Sequence, residues 1–178
     1  MPSQSISIVT GSSNAFSYSF FSFGGDSGSI DYGQTFSMFE NGILQNISLQ
    51  LGRVNSPVFD LQLNLYDQLD GLPNNLLATS SNTIAASSLL NIATNPTGSL
   101  QTFTFDNYYL TGSASPTGSY VFGLTYVNIT THDDSNLVQI FQHSPGDYPY
   151  GYSVYKVQPS PNWFSSAADN KSIITYLV

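Results

Sequence analysis

Residues 33–79 constrain the fold more than any other stretch, reading GQTFSMFENGILQNISLQLGRVNSPVFDLQLNLYDQLDGLPNNLLAT. Two runs within it alternate strictly. Ile47, Leu49 and Leu51 point one way and Ser48 and Gln50 the other. Phe59, Leu61, Leu63 and Leu65 alternate with Asp60, Gln62 and Asn64. Successive side chains of a strand leave by opposite faces, so each run is a strand with one dry and one wet face. GRVNSP between them and DQLDGLP after them carry the residues of turns. The expectation is an antiparallel meander that lays its leucines on a second sheet.

The rest of the chain repeats this grammar. Residues 5–9 (SISIV), 16–23 (FSYSFFSF), 100–106 (LQTFTFD), 119–127 (SYVFGLTYV), the run LVQIFQH and the terminal SIITYLV read as strands, with turn clusters between them about every ten residues. Gly123 inside a strand marks a bulge or a close backbone approach. Residues 80–99 read as a loop with one helical turn. The terminal run is an aggregation hazard unless paired, so it either closes the sandwich or pairs with a neighbouring chain. The fold class is all-β, an antiparallel, jelly-roll-like β-sandwich with an extended aromatic and Pro-rich C-terminal segment. Residues 1–143 form the sandwich, 144–164 the extended segment and 165–178 the closing strand. At 178 residues the chain buries a core without cross-links, and it has no cysteine for a disulfide or a thiolate site.

Composition narrows the partners. Charged residues make up only 8%, against about 25% in an ordinary domain. Three cations, Arg53, Lys156 and Lys171, stand against eleven acids, for a net charge of −8. Neutralising phosphates drives nucleic-acid binding, so DNA, RNA and anionic lipid are excluded as expected partners. MPSQSISIVTG has neither a basic n-region nor an apolar h-region, and no stretch approaches 18 apolar residues, so neither a signal peptide nor a membrane span is expected. The sequons at Asn46, Asn128 and Asn170 are then chance matches.

Candidate chemistry is sparse. His132 and His143 are the only histidines. His132-Asp133-Asp134 reads as a solvated loop, since no Gly-x-Ser-x-Gly or His-Glu-x-x-His motif accompanies it. Asp67 and Asp70 in DQLDG, and Asp26 and Asp31 upstream, have the hard oxygens calcium uses, but Asp in a tight turn caps the turn itself. No cofactor or metal is expected. With Glu40 the sole glutamate and the aspartates mainly in turns, no acid/base pair stands out and no enzymatic activity is expected. Residues 144–164 are the richest segment. Tyr148, Tyr150, Tyr152, Tyr155, Trp163 and Phe164 can anchor a protein interface or stack on a sugar, while Pro145, Pro149, Pro159 and Pro161 bar the segment from a central strand. Contact with another protein chain is the expectation, with packing into the protein's own core as the plain reading of half of these rings.

GQTF, GILQNISLQLGRV, SPVFDLQLNLYDQLDGLPNNLLATSS, LQTFTF and GSYVFGLTYV together resemble the choice-of-anchor R type β-sandwich domain, over about residues 33–127. LYDQLDGLPNNLLA (65–78) is the most specific piece. The chain departs after Pro73, with Asn-Asn where a Gly-Thr type pair is common. The resemblance implies a fold similar to carbohydrate-binding jelly rolls and transfers no catalytic residue. A short, free-standing sandwich of this kind also looks like the decoration (cement) proteins of bacteriophage capsids. That analogy implies a non-enzymatic virion structural protein on the capsid exterior, bound to the major capsid protein or another virion protein and associated with itself, as a homotrimer. The alternatives are an extracellular carbohydrate-binding module or adhesin using Tyr and Trp, and a tail or baseplate accessory protein.

Overall fold

A computed structural model describes residues 4–10, 22–23, 30–113, 115, 118–128, 135–143, 148–157, 162–166, 169–170 and 172–178. The chain is an all-β sandwich. Fifteen described strands run, in chain order, β1 (Ser5–Thr10), β2 (Ser22–Phe23), β3 (Ile30–Phe36), β4 (Gly42–Val54), β5 (Asp60–Leu69), β6 (Leu72–Thr79), β7 (Ile84–Ala85), β8 (Ser99–Leu110), β9 (Tyr120–Val127), β10 (Leu137–Ile140), β11 (Gln142–His143), β12 (Ser153–Val157), β13 (Phe164–Ser166), β14 (Asp169–Asn170) and β15 (Ser172–Leu177). Sheet I has the order β1-β15-β4-β10-β2, with β8 along the other side of β4. Sheet II has the order β13-β12-β3-β9-β5-β6, with β7 also on β5. All the strand pairings are antiparallel.

The two alternating runs fall in β4 and β5, and their leucines are buried as the pattern requires: Leu49 is 1% exposed and Leu51, Leu61, Leu63 and Leu65 are 0%. The meander expectation is corrected. β4 and β5 do not pair; they belong to different sheets and contribute to one core with Ile47, Phe103, Phe122, Leu124 and Ile174. Alternation fixes which face of a strand is dry but not which strand lies beside it, and each leucine face is covered by the other. The crossing is made at Asn55, in the left-handed region at φ 53°. Its Nδ2 donates to Ser135 O (2.6 Å), and Asn136 Oδ1 accepts from Ser56 N (2.9 Å), which holds the link against the strand that follows. β5 and β6 do form the expected hairpin. Asp70 (φ 54°) and Gly71 (φ 79°) supply the two left-handed residues of a tight hairpin turn.

The terminal strand closes the protein's own sandwich. β15 lies between β1 and β4, and the strand read at SISIV is β1. β10 and β15 follow one another along the same side of β4, at Leu51–Val54 and Ile43–Leu49. Between them the chain leaves for sheet II and returns. Its departure and return are tied by a buried polar knot. Gln142 Nε2 donates to Asn170 Oδ1 (2.7 Å) and to Ser153 Oγ (3.2 Å), Asn170 Nδ2 to Gly33 O (2.8 Å), and Thr10 Oγ1 to Asn170 O (2.6 Å). Asn170 is 1% exposed, so the sequon Asn170-Lys171-Ser172 is closed to modification. The excursion itself places β12 beside β3 and ends at the three-residue edge strand β13. β12 occupies a proline-free window, as the missing amide donors of Pro149, Pro159 and Pro161 demand. The loop at 80–99 holds the short strand β7 and one 3₁₀ turn, Ala86–Ser88.

Candidate functional site

Two outward faces result from this arrangement, and their chemistry differs. On sheet I, cross-strand partners stand in rows over β1, β15, β4 and β8. One row is Ser7–Thr175–Asn46–Thr104 and the next is Val9–Ile173–Ser48–Thr102. A third, Ser5–Leu177–Ile43–Tyr109, closes the end of the face. None of these side chains is a carboxylate or an ammonium. Asp106 on β8 lies between the rows, and Arg53 beyond them. Four of the hydroxyls meet in pairs: Ser48 Oγ and Thr102 Oγ1 are 2.8 Å apart, Ser7 Oγ and Thr175 Oγ1 3.5 Å. Val9, Leu100 and Tyr109 remain exposed (50%, 46% and 61%). The result is a half-apolar sheet face whose rows are uncharged, with Asp106 between them.

One edge beside it is guarded. At β8, Ser81 N donates to Thr104 O (2.8 Å), Asn82 Oδ1 accepts from Thr104 N (2.7 Å) and Asn82 Nδ2 donates to Thr102 O (3.0 Å). These bonds take up the backbone groups an intruding strand would use. On sheet II the edge strand β6 carries Pro73 and irregular register.

Sheet II presents a different outer face. Its middle row is Thr79–Asn64–Gly123–Gly33–Val154. Both glycines are buried, as is Val154 in the same row, and a Cβ on Gly33 would strike Phe122 O. A Cβ on Gly123 would stand 3.2 Å from the Tyr66 ring and 3.6 Å from Trp163, so two side-chain rings lie over this glycine. Tyr66 and Trp163 meet edge to face, centroids 6.3 Å apart. Lys156 Nζ stands 5.2 Å from the Trp163 ring centroid and 2.8 Å from Asp31 Oδ2. Asn64 Nδ2 donates to Tyr66 Oη (3.2 Å), and Gln62 flanks it one row further on, opposite Thr125. Burial pushes the Tyr66 phenol pKa upward, and the bond from Asn64 opposes that.

The aromatic group of residues 144–164 is dispersed over these surfaces. Tyr148 packs against the core and accepts from Ser37 N (3.1 Å). Tyr150 sits edge-on to Phe39, centroids 4.9 Å apart. The Tyr152 ring fills the space beside Gly71. Tyr155 packs between Tyr32 (6.1 Å) and the 46%-exposed Phe164 (5.6 Å). Trp163 alone reaches the glycine row. Sequence reasoning missed Tyr66, Asn64 and Lys156 as neighbours of Trp163. The signal was present in Tyr66, an aromatic at the wet parity of the run that buries Leu61, Leu63 and Leu65.

Two of the metal candidates, Asp67 and Asp31, have partners within the protein. Asp67 accepts from Asn75 N (2.6 Å) and Asn75 Nδ2 (3.0 Å), bonds that hold its carboxyl below the usual range. Asp31 is paired with Lys156. Among the described residues, no group of three or more His, Cys, Asp or Glu is placed to hold a metal ion, and no helix is long and apolar enough to cross a membrane. Asp26 and His132-Asp133-Asp134 lie outside the described residues, as does the side chain of His143. No family model and no curated protein matches the chain. Function is read from the two faces themselves.

Proposed function

We propose that the chain is a non-enzymatic structural protein that works by protein–protein contact through the outer face of sheet I, and that it does so on a virion, as a capsid decoration protein that binds the capsid protein and copies of itself. The observation that carries this reading is the set of uncharged cross-strand rows on that face. A chain of net charge −8 repels its own copies wherever carboxylates meet. The rows of sheet I bring none, and Val9, Leu100 and Tyr109 offer apolar area to cover. The capped β8 edge favours contact face to face over strand addition, which suits a protein held at high copy number.

Sedimentation of the native chain tests this, beside the double variant Thr104→Asp, Thr175→Asp, with circular dichroism to show that the variant is folded. Self-association of the native chain and a monomeric, folded variant are expected. A native chain that stays monomeric at every concentration, or an oligomer indifferent to the two aspartates, sinks the reading.

A further inference from the structure

We propose that the outer edge of β1 is a docking site for an extended, basic-flanked segment of a different polypeptide, which joins sheet I as one more strand. The pairing of β1 with β15 is regular from Ser5–Leu177 to Thr10–Ser172, and one rung further out Gln4 and Val178 exchange two hydrogen bonds. Rungs of an antiparallel pair alternate between those that exchange bonds and those that do not. Ile6, Ile8 and Thr10 therefore turn their amides and carbonyls toward β15, while Ser5, Ser7 and Val9 turn theirs outward. Among the described residues, no strand or loop takes up these outward groups. The other edges are blunted. β8 is capped by Ser81 and Asn82, β6 carries Pro73 and an irregular register, and β2 and β13 are only two and three residues long. β1 has six residues with no proline, no charge and no bulge, which leaves it open to an incoming strand.

The edge defines its occupant. Cross-strand partners share a face. Ile8 is buried and Ile6 half-buried on the core side, so the residues placed opposite them must be apolar. Ser5, Ser7 and Val9 point to the outer face, where hydroxylated partners would continue the rows. Charge decides whose segment it is. A second copy would bring a further −8 to the junction, and two of the chain's three cations are already engaged, Arg53 on Leu89 O and Lys156 on Asp31. Burial first and the Glu40 carboxylate second raise the Tyr176 phenol pKa, so a carboxylate lies near the rung where Tyr176 meets Ile6. A strand ending in Lys or Arg is drawn to such an edge, and one ending in carboxylates is repelled. Main-chain bonds then supply affinity and the alternate side chains selectivity.

The probe is a short synthetic peptide that alternates threonine with isoleucine and carries a lysine at each end. Added to the full chain, it is expected to slow hydrogen exchange at the Ser5, Ser7 and Val9 amides, read by NMR. The same peptide N-methylated at the amides that would face β1, and the same peptide ended in glutamates, are each expected to bind roughly tenfold or more weakly. Ser7→Pro removes an outward amide that β15 does not use, so this variant is expected to melt cooperatively and to lose the peptide. No change at the three amides overturns the proposal. So does a methylated or glutamate-ended peptide that binds as well as the parent, or a folded Ser7→Pro chain that binds it undiminished. Protection of these amides that grows with protein concentration, without peptide, would make the occupant a second copy and overturns it too. Thr104→Asp, Thr175→Asp is expected to lose self-association and keep the peptide, so contact through the face of sheet I and strand addition at its edge can fail separately.

Discussion

At the scale of single residues, burial of Tyr32 sets a limit at alkaline pH. Its ring is 1% exposed and stacked on Tyr155. Desolvation raises its phenol pKa far above the ordinary value, with a bond to Gln142 opposing. A raised pKa means that the folded state keeps the proton more tightly than the unfolded chain. The stabilisation is therefore fully present below the unfolded value of about 10 and is lost as pH climbs beyond it. Thermal melts from pH 8 to pH 12 should fall once pH passes about 10. The Tyr32 share of the tyrosinate absorbance should appear only with unfolding, and Tyr32→Phe should flatten the alkaline slope. A slope unchanged in Tyr32→Phe would assign it to another tyrosine. Residues also mark what was legible. Asp70-Gly71 announced a hairpin turn, since a turn of that hand needs two left-handed residues in a row. Asn55 performs a different task with the same backbone conformation, and nothing local separates its crossing between sheets from a hairpin.

At the scale of elements, alternation revealed strands and dry faces but left their neighbours open. Leu49 and Leu63 were both read as buried, yet their strands lie on opposite sheets. Pairing is decided by the whole set of strands, and β4 finds β8, β10 and β15 from far along the chain. The position of Trp163 was illegible for the same reason, because its seat is Gly123, on a strand formed earlier in the chain. The terminal strand is the element whose removal should cost most. Truncation after residue 171 removes Ile174 (0% exposed) and Tyr176 (1%), worth about 2–5 kcal/mol each. It also leaves β1 without a partner. Against a total stability of about 5–15 kcal/mol, the truncated chain should fail to fold, as seen by loss of the cooperative melt. A cooperative melt retained would mean that β1 moves over to β4.

At the scale of the whole molecule, the net charge and the uncharged rows make a joint prediction about salt. Copies of a −8 chain repel over distances set by the Debye length, about 10 Å at 0.1 M salt. Contact through the rows of sheet I gains nothing from ion pairs, so added salt removes repulsion without removing attraction. Self-association should strengthen as sodium chloride rises from about 0.05 to about 0.5 M, read by sedimentation. Weakening with salt would point to an ion-paired interface elsewhere on the surface.

The pairing of β1 with β15 has a mechanical consequence. Gln4 and Val178 exchange two backbone hydrogen bonds, with Gln4 N donating to Val178 O (3.3 Å) and Val178 N to Gln4 O (3.0 Å), so the two ends of the described chain leave from the same rung. A tensile load applied between those ends would strain one rung at a time and open the pair like a zipper, at low force. A load spread over the rows of sheet I would strain many rungs together in shear. A molecule built this way resists being slid or prised across its broad side and yields readily when tugged by its tails.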